Sequence, residues 1–400
     1  MLKTLRLTAL LAGLATAGLL SACATASTTP PPKTPAKALP QGSDAKAGPV
    51  PFASTYKPLP SQLTAIVGAH ILTATGDEIE GGTLVMDGGK IVALGKDVTP
   101  PSGAQIIEAK GLWLTPGIID SHSHLGVYAS PGVQAHSDGN EATDPNTANV
   151  WAEHSVWPQD PGFNRARAGG VTTLQILPGS ANLFGGRSVT LKNIPSVTTQ
   201  GMKFPDAPYG LKMACGENPK RVYGRKGRSP ATRMGNVAGY RSAWIAAASY
   251  KRKWDDYRAK IAKGEKADPP ERSLTNDTLS SVLAGEILVQ NHCYRADEMA
   301  TMIDISKEFG FKIRMFHHSS EAYKLAGLLA SEGICYATWA EWAGFKLESY
   351  DGIAENAAIG QRKRACVVIQ GQDQPMTSRS LELAKRYKPG ADTDYPPAYR

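Results

Sequence analysis

The sequence predicts an α/β chain, a (β/α)8 barrel preceded by a small β unit. Three observations lead there. Short apolar runs recur and end in polar or titratable residues; amphipathic helical stretches separate several of them; and 400 residues are too many for one small domain. Taken in order, the chain divides into residues 1–23, 24–61, 62–110, 111–372 and 373–400.

Residues 1–23 read as an export signal. Lys3 and Arg6 give a positive start, Leu7 to Leu20 is apolar, and Leu20-Ser21-Ala22-Cys23 follows. That ending resembles a bacterial lipobox. The resemblance implies lipidation of Cys23 and a lipid-anchored protein of the bacterial cell envelope, facing the periplasm, with the outer membrane preferred. An ordinary secretory signal, releasing the chain to the periplasm, is the alternative. The apolar run is too short for a transmembrane helix. Residues 24–61, rich in Pro, Ala, Thr, Ser and Lys, cannot bury a core and read as a disordered tether.

Within 62–110, Ala65-Ile66-Val67, Gly82 to Met86 and Lys90 to Leu94 read as strands split by turns such as Asp87-Gly88-Gly89. This is the β unit before the barrel. The first barrel strand is the apolar run Leu112 to Ile119, which stops at Asp120-Ser121-His122-Ser123-His124. Side chains alternate along a strand, so His122 and His124 share one face at its carboxyl end and offer half of a metal site. A long polar loop carrying His136 follows, with His154 just beyond it; both read as exposed loop histidines.

Ala168 to Leu177 is a second strand, running into a glycine-rich loop, Pro178 to Arg187, which lacks the lysine and context of a phosphate-binding loop. Gly210 to Cys215 is the next, with Glu217 just past its end. Arg233 to Ala262 and Leu274 to Leu283 read as helices. The strand Ile287 to His292 ends in histidine, and Lys312 to His318, after the helix Arg295 to Phe309, repeats the pattern. Ser320 to Leu329 is helical, Ile334 to Thr338 a short strand, and Cys366 to Ile369 the last strand.

The net charge of +8 includes Lys3 and Arg6, and the basic clusters near residues 220–228 and 251–253 read as solvated faces. Without aromatic interleaving they make no case for nucleic acid. Cys215, Cys293, Cys335 and Cys366 form no C-x-x-C pair and read as buried free thiols, with a disulfide in an exported chain as the alternative.

Collected, the strand-end residues are His122, His124, Glu217, His292 and His318, four imidazoles and a carboxylate suited to one or two divalent ions. At this point the chain resembles the amidohydrolase superfamily, close to its imidazolonepropionase-like and metal-dependent dipeptidase branch. The matching stretches include Pro116 to His124, Gly169-Gly170-Val171-Thr172-Thr173, Leu177 to Asn182, Gly216-Glu217-Asn218 and His317 to Lys324. The resemblance implies hydrolysis of amide, cyclic amide or dipeptide C–N bonds by metal-activated water, zinc being the preferred metal.

By motif it makes His122, His124, His292 and His318 ligands, with His317 the rival of His318. Glu217 takes the bridging place that many relatives give to a carboxylated lysine, and Lys212 is the weaker alternative. The family's strand-eight aspartate has only a displaced counterpart here, Asp373, beyond Gln370-Gly371-Gln372. The resemblance also implies a small flanking β-sandwich domain, here incomplete; with residues 373–400 atypical as well, this suggests a truncated or frame-shifted frame. The competing readings are a divergent tail with Asp373 catalytic, a non-catalytic remnant that binds metal or ligand, and a one-metal deaminase. Specificity is expected in residues 126–160 and 216–235; the sequence names no substrate.

Overall fold

The computed structural model describes residues 43, 52–339 and 344–370. Cys23, Asp373, the signal segment, most of the tether and the atypical tail lie outside the described residues. The first sheet contains β1 (Thr64–Leu72), β2 (Glu78–Asp87), β3 (Lys90–Gly95), β4 (Gln105–Glu108) and β5 (Trp113–Leu114). Its order is β3-β2-β1-β4, with β5 also on β1; β2 is antiparallel to both β1 and β3, while β4 and β5 run parallel to β1. Ala69, Ile71, Leu84 and Ala109 form its core. Elsewhere on this unit Ile91, Val92, Leu112 and Trp113 are more than half exposed, so its apolar surface exceeds what the described residues cover.

The second sheet has eight strands: β6 (Ile118–Ser123), β7 (Val171–Ile176), β8 (Phe184–Lys192), β9 (Gly210–Ala214), β10 (Leu288–Cys293), β11 (Ile313–His318), β12 (Cys335–Thr338) and β13 (Val367–Ile369). They lie side by side in chain order, and no ladder among the described residues joins β13 to β6. The sheet is nonetheless curled. His122 on β6 and His317 on β11, five strands apart, meet at 2.9 Å across its interior.

One strand departs from the expected barrel. The glycine-rich segment after β7 was expected as a loop throughout, but its last four residues, Phe184 to Arg187, begin β8, which runs antiparallel to both β7 and β9. Parallel neighbours need a crossover of roughly a dozen residues or more. Only residues 177–183 join β7 to β8, so the chain can only turn back.

The helices are α1 (Pro161–Ala168), α2 (Thr199–Met202), α3 (Glu217–Gly224), α4 (Arg233–Ala262), α5 (Leu274–Leu283), α6 (Ala296–Phe309), α7 (Ala326–Glu332) and α8 (Asn356–Arg362). The 30-residue α4 begins where the Thr232 hydroxyl accepts from the Gly235 N–H. Tyr240, Ala243, Trp244, Ala247, Tyr250 and Trp254 recur at helical spacing and are its buried stripe. Trp244 packs on Phe311 and Phe184 at ring separations of 4.4 and 5.4 Å, in a core that also holds Phe316 and Tyr336. Each such fully buried side chain contributes about 1.5–3 kcal/mol.

The cysteines are not free thiols. Cys215 is bonded to Cys293 and Cys335 to Cys366, with Cα atoms 5.3 and 4.5 Å apart. Each pair joins neighbouring strands or their ends, a proximity that spacing along the chain does not reveal.

Candidate active site

The apolar residues of β6, β10 and β11 place their terminal histidines together. His122, His292, His317 and His318 are each no more than 4% exposed, and His124 is 9% exposed. The His318 ring lies 4.7 Å from that of His122 and 4.5 Å from that of His292. Register pairs His292 with His317 and Cys293 with His318, so strict alternation would send His318 outward with Cys293. Instead the backbone enters the left-handed region at His318 (φ 74°), ending the strand, and the ring packs against Tyr294 and Trp339 beside His292.

Hydrogen bonds set the ring orientations. His124 Nδ1–H donates to the Leu177 carbonyl at 2.7 Å, and His317 Nε2–H donates to Gln290 Oε1 at 2.8 Å. His317 Nδ1 is then an acceptor for His122 Nδ1–H at 2.9 Å. With neutral rings this leaves the lone pairs of His122 Nε2 and His124 Nε2 facing each other at 3.3 Å. Burial holds the pKa of His122, His292, His317 and His318 well below the usual imidazole value; the nearby Lys212 charge lowers them further.

A divalent ion was expected here, and the facing pair suits one. Two nitrogens about 2.0–2.1 Å from a tetrahedral ion stand roughly 3.3 Å apart, and a ligating histidine ordinarily gives its other N–H to a carbonyl, as His124 does to Leu177. A full site is not closed: among the described residues no three His, Cys, Asp or Glu groups stand together at metal-ligand spacing. The fit therefore extends to a pair of donors.

A cavity of about 620 Å³ opens above His124, His292 and His318. Its walls carry Tyr128 and Asn140 from the long loop, Glu217, Asn218 and Arg221 from α3, Tyr294 after β10, and Phe345 and Lys346. Asn218 Nδ2 reaches within 3.4 Å of His292 Nε2. The Tyr294 phenol is pushed far up by burial first and then by Glu348 and Glu217, so it keeps its proton.

The site residues expected from sequence do not all come together. His122, His124, His292 and His318 cluster, and His317 stands in the same group, holding His122. Glu217 stands apart as the first residue of α3, its side chain 24% exposed and 3.7 Å from Lys346 Nζ. Lys212, in the middle of β9, is fully buried, and its charge bears on four of the imidazoles. The structure thus brings the alternative, Lys212, into the cluster, and sets Glu217 on the cavity wall because the chain enters a helix at Gly216 rather than extending the strand.

His136 and His154 do not line the cavity. Sequence reading missed Gln290, Asn218, Arg221 and Lys346. Only Asn218 had a signal, its place in Gly216-Glu217-Asn218.

No protein-family profile matches the chain. It is similar to a solved amidohydrolase from Thermotoga maritima MSB8, 32% identical, with a TM-score of 0.74 over 82% of this chain and 84% of that one. It is 35% identical over 268 residues to the amidohydrolase tasK of Hapsidospora irregularis, covering 63% of this chain and 27% of that protein. A dihydroorotase of Geobacter metallireducens matches at 33% identity over 111 residues, 27% of this chain and 25% of that protein. The chain spans about a quarter of the length of these two curated relatives.

Proposed function

The chain belongs to the amidohydrolase superfamily, and from that premise we propose that it hydrolyses a C–N bond in small amide, cyclic amide or dipeptide substrates. The observation that carries this reading is the facing His122–His124 pair under a cavity large enough for such a molecule. Water adds to the substrate carbonyl carbon, the C–N bond breaks, and the departing nitrogen takes a proton, giving an acid and an amine.

His122 and His124 would hold a divalent ion, zinc by their nitrogen character, with the His318 and His292 rings beside them. Such an ion, when bound, supplies Lewis acidity toward a carbonyl and acidifies water. The chain's own groups do the rest. Leu177 and His317 fix the two rings, Asn218 braces His292, and the protonated Tyr294 hydroxyl is a donor on the cavity wall. Asp373 remains the proposed proton acceptor from sequence. Among the described residues no third donor stands at ligand spacing, and this supports a second reading, one ion rather than two or binding without turnover.

We place the protein in the bacterial cell envelope, anchored through lipid on Cys23. The two disulfides support an oxidising compartment.

The test uses chain beginning at Cys23, purified without chelator. Metal content of between about one and two ions per chain, turnover of dipeptides or cyclic amides, and loss of both in His122→Ala with unchanged circular dichroism are expected. No bound metal after zinc addition, or unchanged turnover in the variant, would refute the reading.

A further inference from the structure

We propose that Arg221 and Lys346 form an anion subsite that selects substrates with a free carboxylate one residue away from the scissile C–N bond. The proposal deepens the hydrolytic reading above and rests on it for the identity of the reacting end. Three observations converge on it. Arg221 Nη2 and Lys346 Nζ, from different segments, both donate to Asn218 Oδ1 at 3.4 Å. All three residues line the main cavity. The other end of the same amide touches His292.

Two cations sharing one neutral oxygen at long distance are poorly compensated, because charge-assisted bonds to a carboxylate are shorter and about twice as strong. The Arg221 fork suits both oxygens of a carboxylate, and among the described residues no carboxylate pairs with it. Lys346 is held more closely: Glu348 lies at 3.2 Å, Glu217 at 3.7 Å, and the Tyr294 ring beneath it at 4.0 Å. Lys346 therefore orients the anion while Arg221 supplies the uncompensated charge.

The surroundings agree in sign. The main cavity holds two cations, Arg221 and Lys346, against one carboxylate, Glu217. Beyond the shared wall of Glu217 and Arg221, a second cavity of about 350 Å³ is lined by Lys220, Arg233 and Arg295; Arg233 is paired with Glu298 and Glu348 and Arg295 with Asp297, so Lys220 is the added cation. Such a field concentrates anions at the mouth. Asn218 ties the two cations to the imidazole cluster, its Oδ1 accepting from both and its Nδ2 lying 3.4 Å from His292 Nε2. A carboxylate held there lies beside the cluster, and in the proposed substrates it stands one residue from the reacting carbonyl, as in an N-acyl amino acid or a dipeptide, with an amino acid as the amine product.

The experiment is calorimetric titration of the mature zinc-supplemented chain with N-acetyl-L-alanine and N-acetyl-L-alaninamide, repeated with the leucine and phenylalanine pairs. The acid is expected to bind at least about tenfold more tightly than its carboxamide. The ratio should fall below about threefold in Arg221→Gln, recover in part in Arg221→Lys, and shrink with added salt. Equal binding of acid and amide by the wild type, no acid binding up to about 20 mM, or a ratio that persists in Arg221→Gln and in the Arg221→Gln/Lys346→Gln double variant would overturn it. Hydrolysis is followed in the same samples. Discrimination without hydrolysis supports the subsite and sinks the proposed reaction; hydrolysis without discrimination sinks the subsite alone.

Discussion

Acidifying the metal-free protein from pH 7 to pH 5.5 should destabilise it steeply, and the size of the effect follows from the buried histidines. His122, His292, His317 and His318 have pKa values lowered, first by desolvation and then by neighbouring positive charge, Lys212 above all for His122 and His317. In the unfolded chain each titrates near 6.5. Below that pH the unfolded state binds protons that the folded state refuses, so stability is present above the unfolded pKa and is lost as pH falls toward the folded one. Each imidazole then contributes a loss on the order of 1 kcal/mol over this interval, and the four together several kcal/mol.

Glu298, whose pKa is raised by burial, works in the opposite direction but is a single group. Domains are typically stable by about 5–15 kcal/mol, so the loss would bring the fold near its limit. Urea denaturation of chelator-treated, disulfide-intact protein at several pH values would measure it. Zinc at about a hundred times its dissociation constant should restore roughly 2.7 kcal/mol at pH 7. A change below about 1 kcal/mol between pH 7 and 5.5 would refute the picture of four buried neutral rings.

Two further outcomes follow. Lys212 could ligate only as the carboxylated lysine that the resemblance implies; on that reading Lys212→Met should cost at least about tenfold in metal affinity and turnover, measured by competition with a chromophoric chelator, while Glu217→Gln should cost less, and the reverse ranking would return Glu217 to the ligand set. The disulfides span sequence separations of 78 and 31 residues, which in the chain-entropy account is worth about 4 kcal/mol each. Cys215→Ala/Cys293→Ala should therefore lower the urea midpoint markedly, and a shift equivalent to less than about 1 kcal/mol would argue that the bond is absent from the native protein.

Much of the site was legible in the sequence because its signals are local. An apolar run that stops at Asp120-Ser121-His122-Ser123-His124 states both the strand and the face on which two imidazoles lie, since alternation needs only neighbouring residues. The same holds for the strands ending at His292 and His318, and for α4, whose buried stripe follows from helical spacing. What stayed hidden depends on contacts between distant segments. Whether Lys212 or Glu217 faces the imidazoles is decided by where β9 ends and α3 begins, at a glycine with φ 78°. The reversal of β8 comes from a connection too short to cross over.

The disulfides exist because ladder register sets Cys215 beside Cys293 and Cys335 beside Cys366, pairs that no spacing announces. Arg221 and Lys346, 125 positions apart, meet at one amide oxygen only because α3 and the segment after β12 lean over the same cavity. The sequence by itself therefore determined which side chains could do chemistry, through periodicities spanning a few residues. The tertiary structure decided which of them share a space, because curling the eight-stranded sheet is what brings β6 opposite β11.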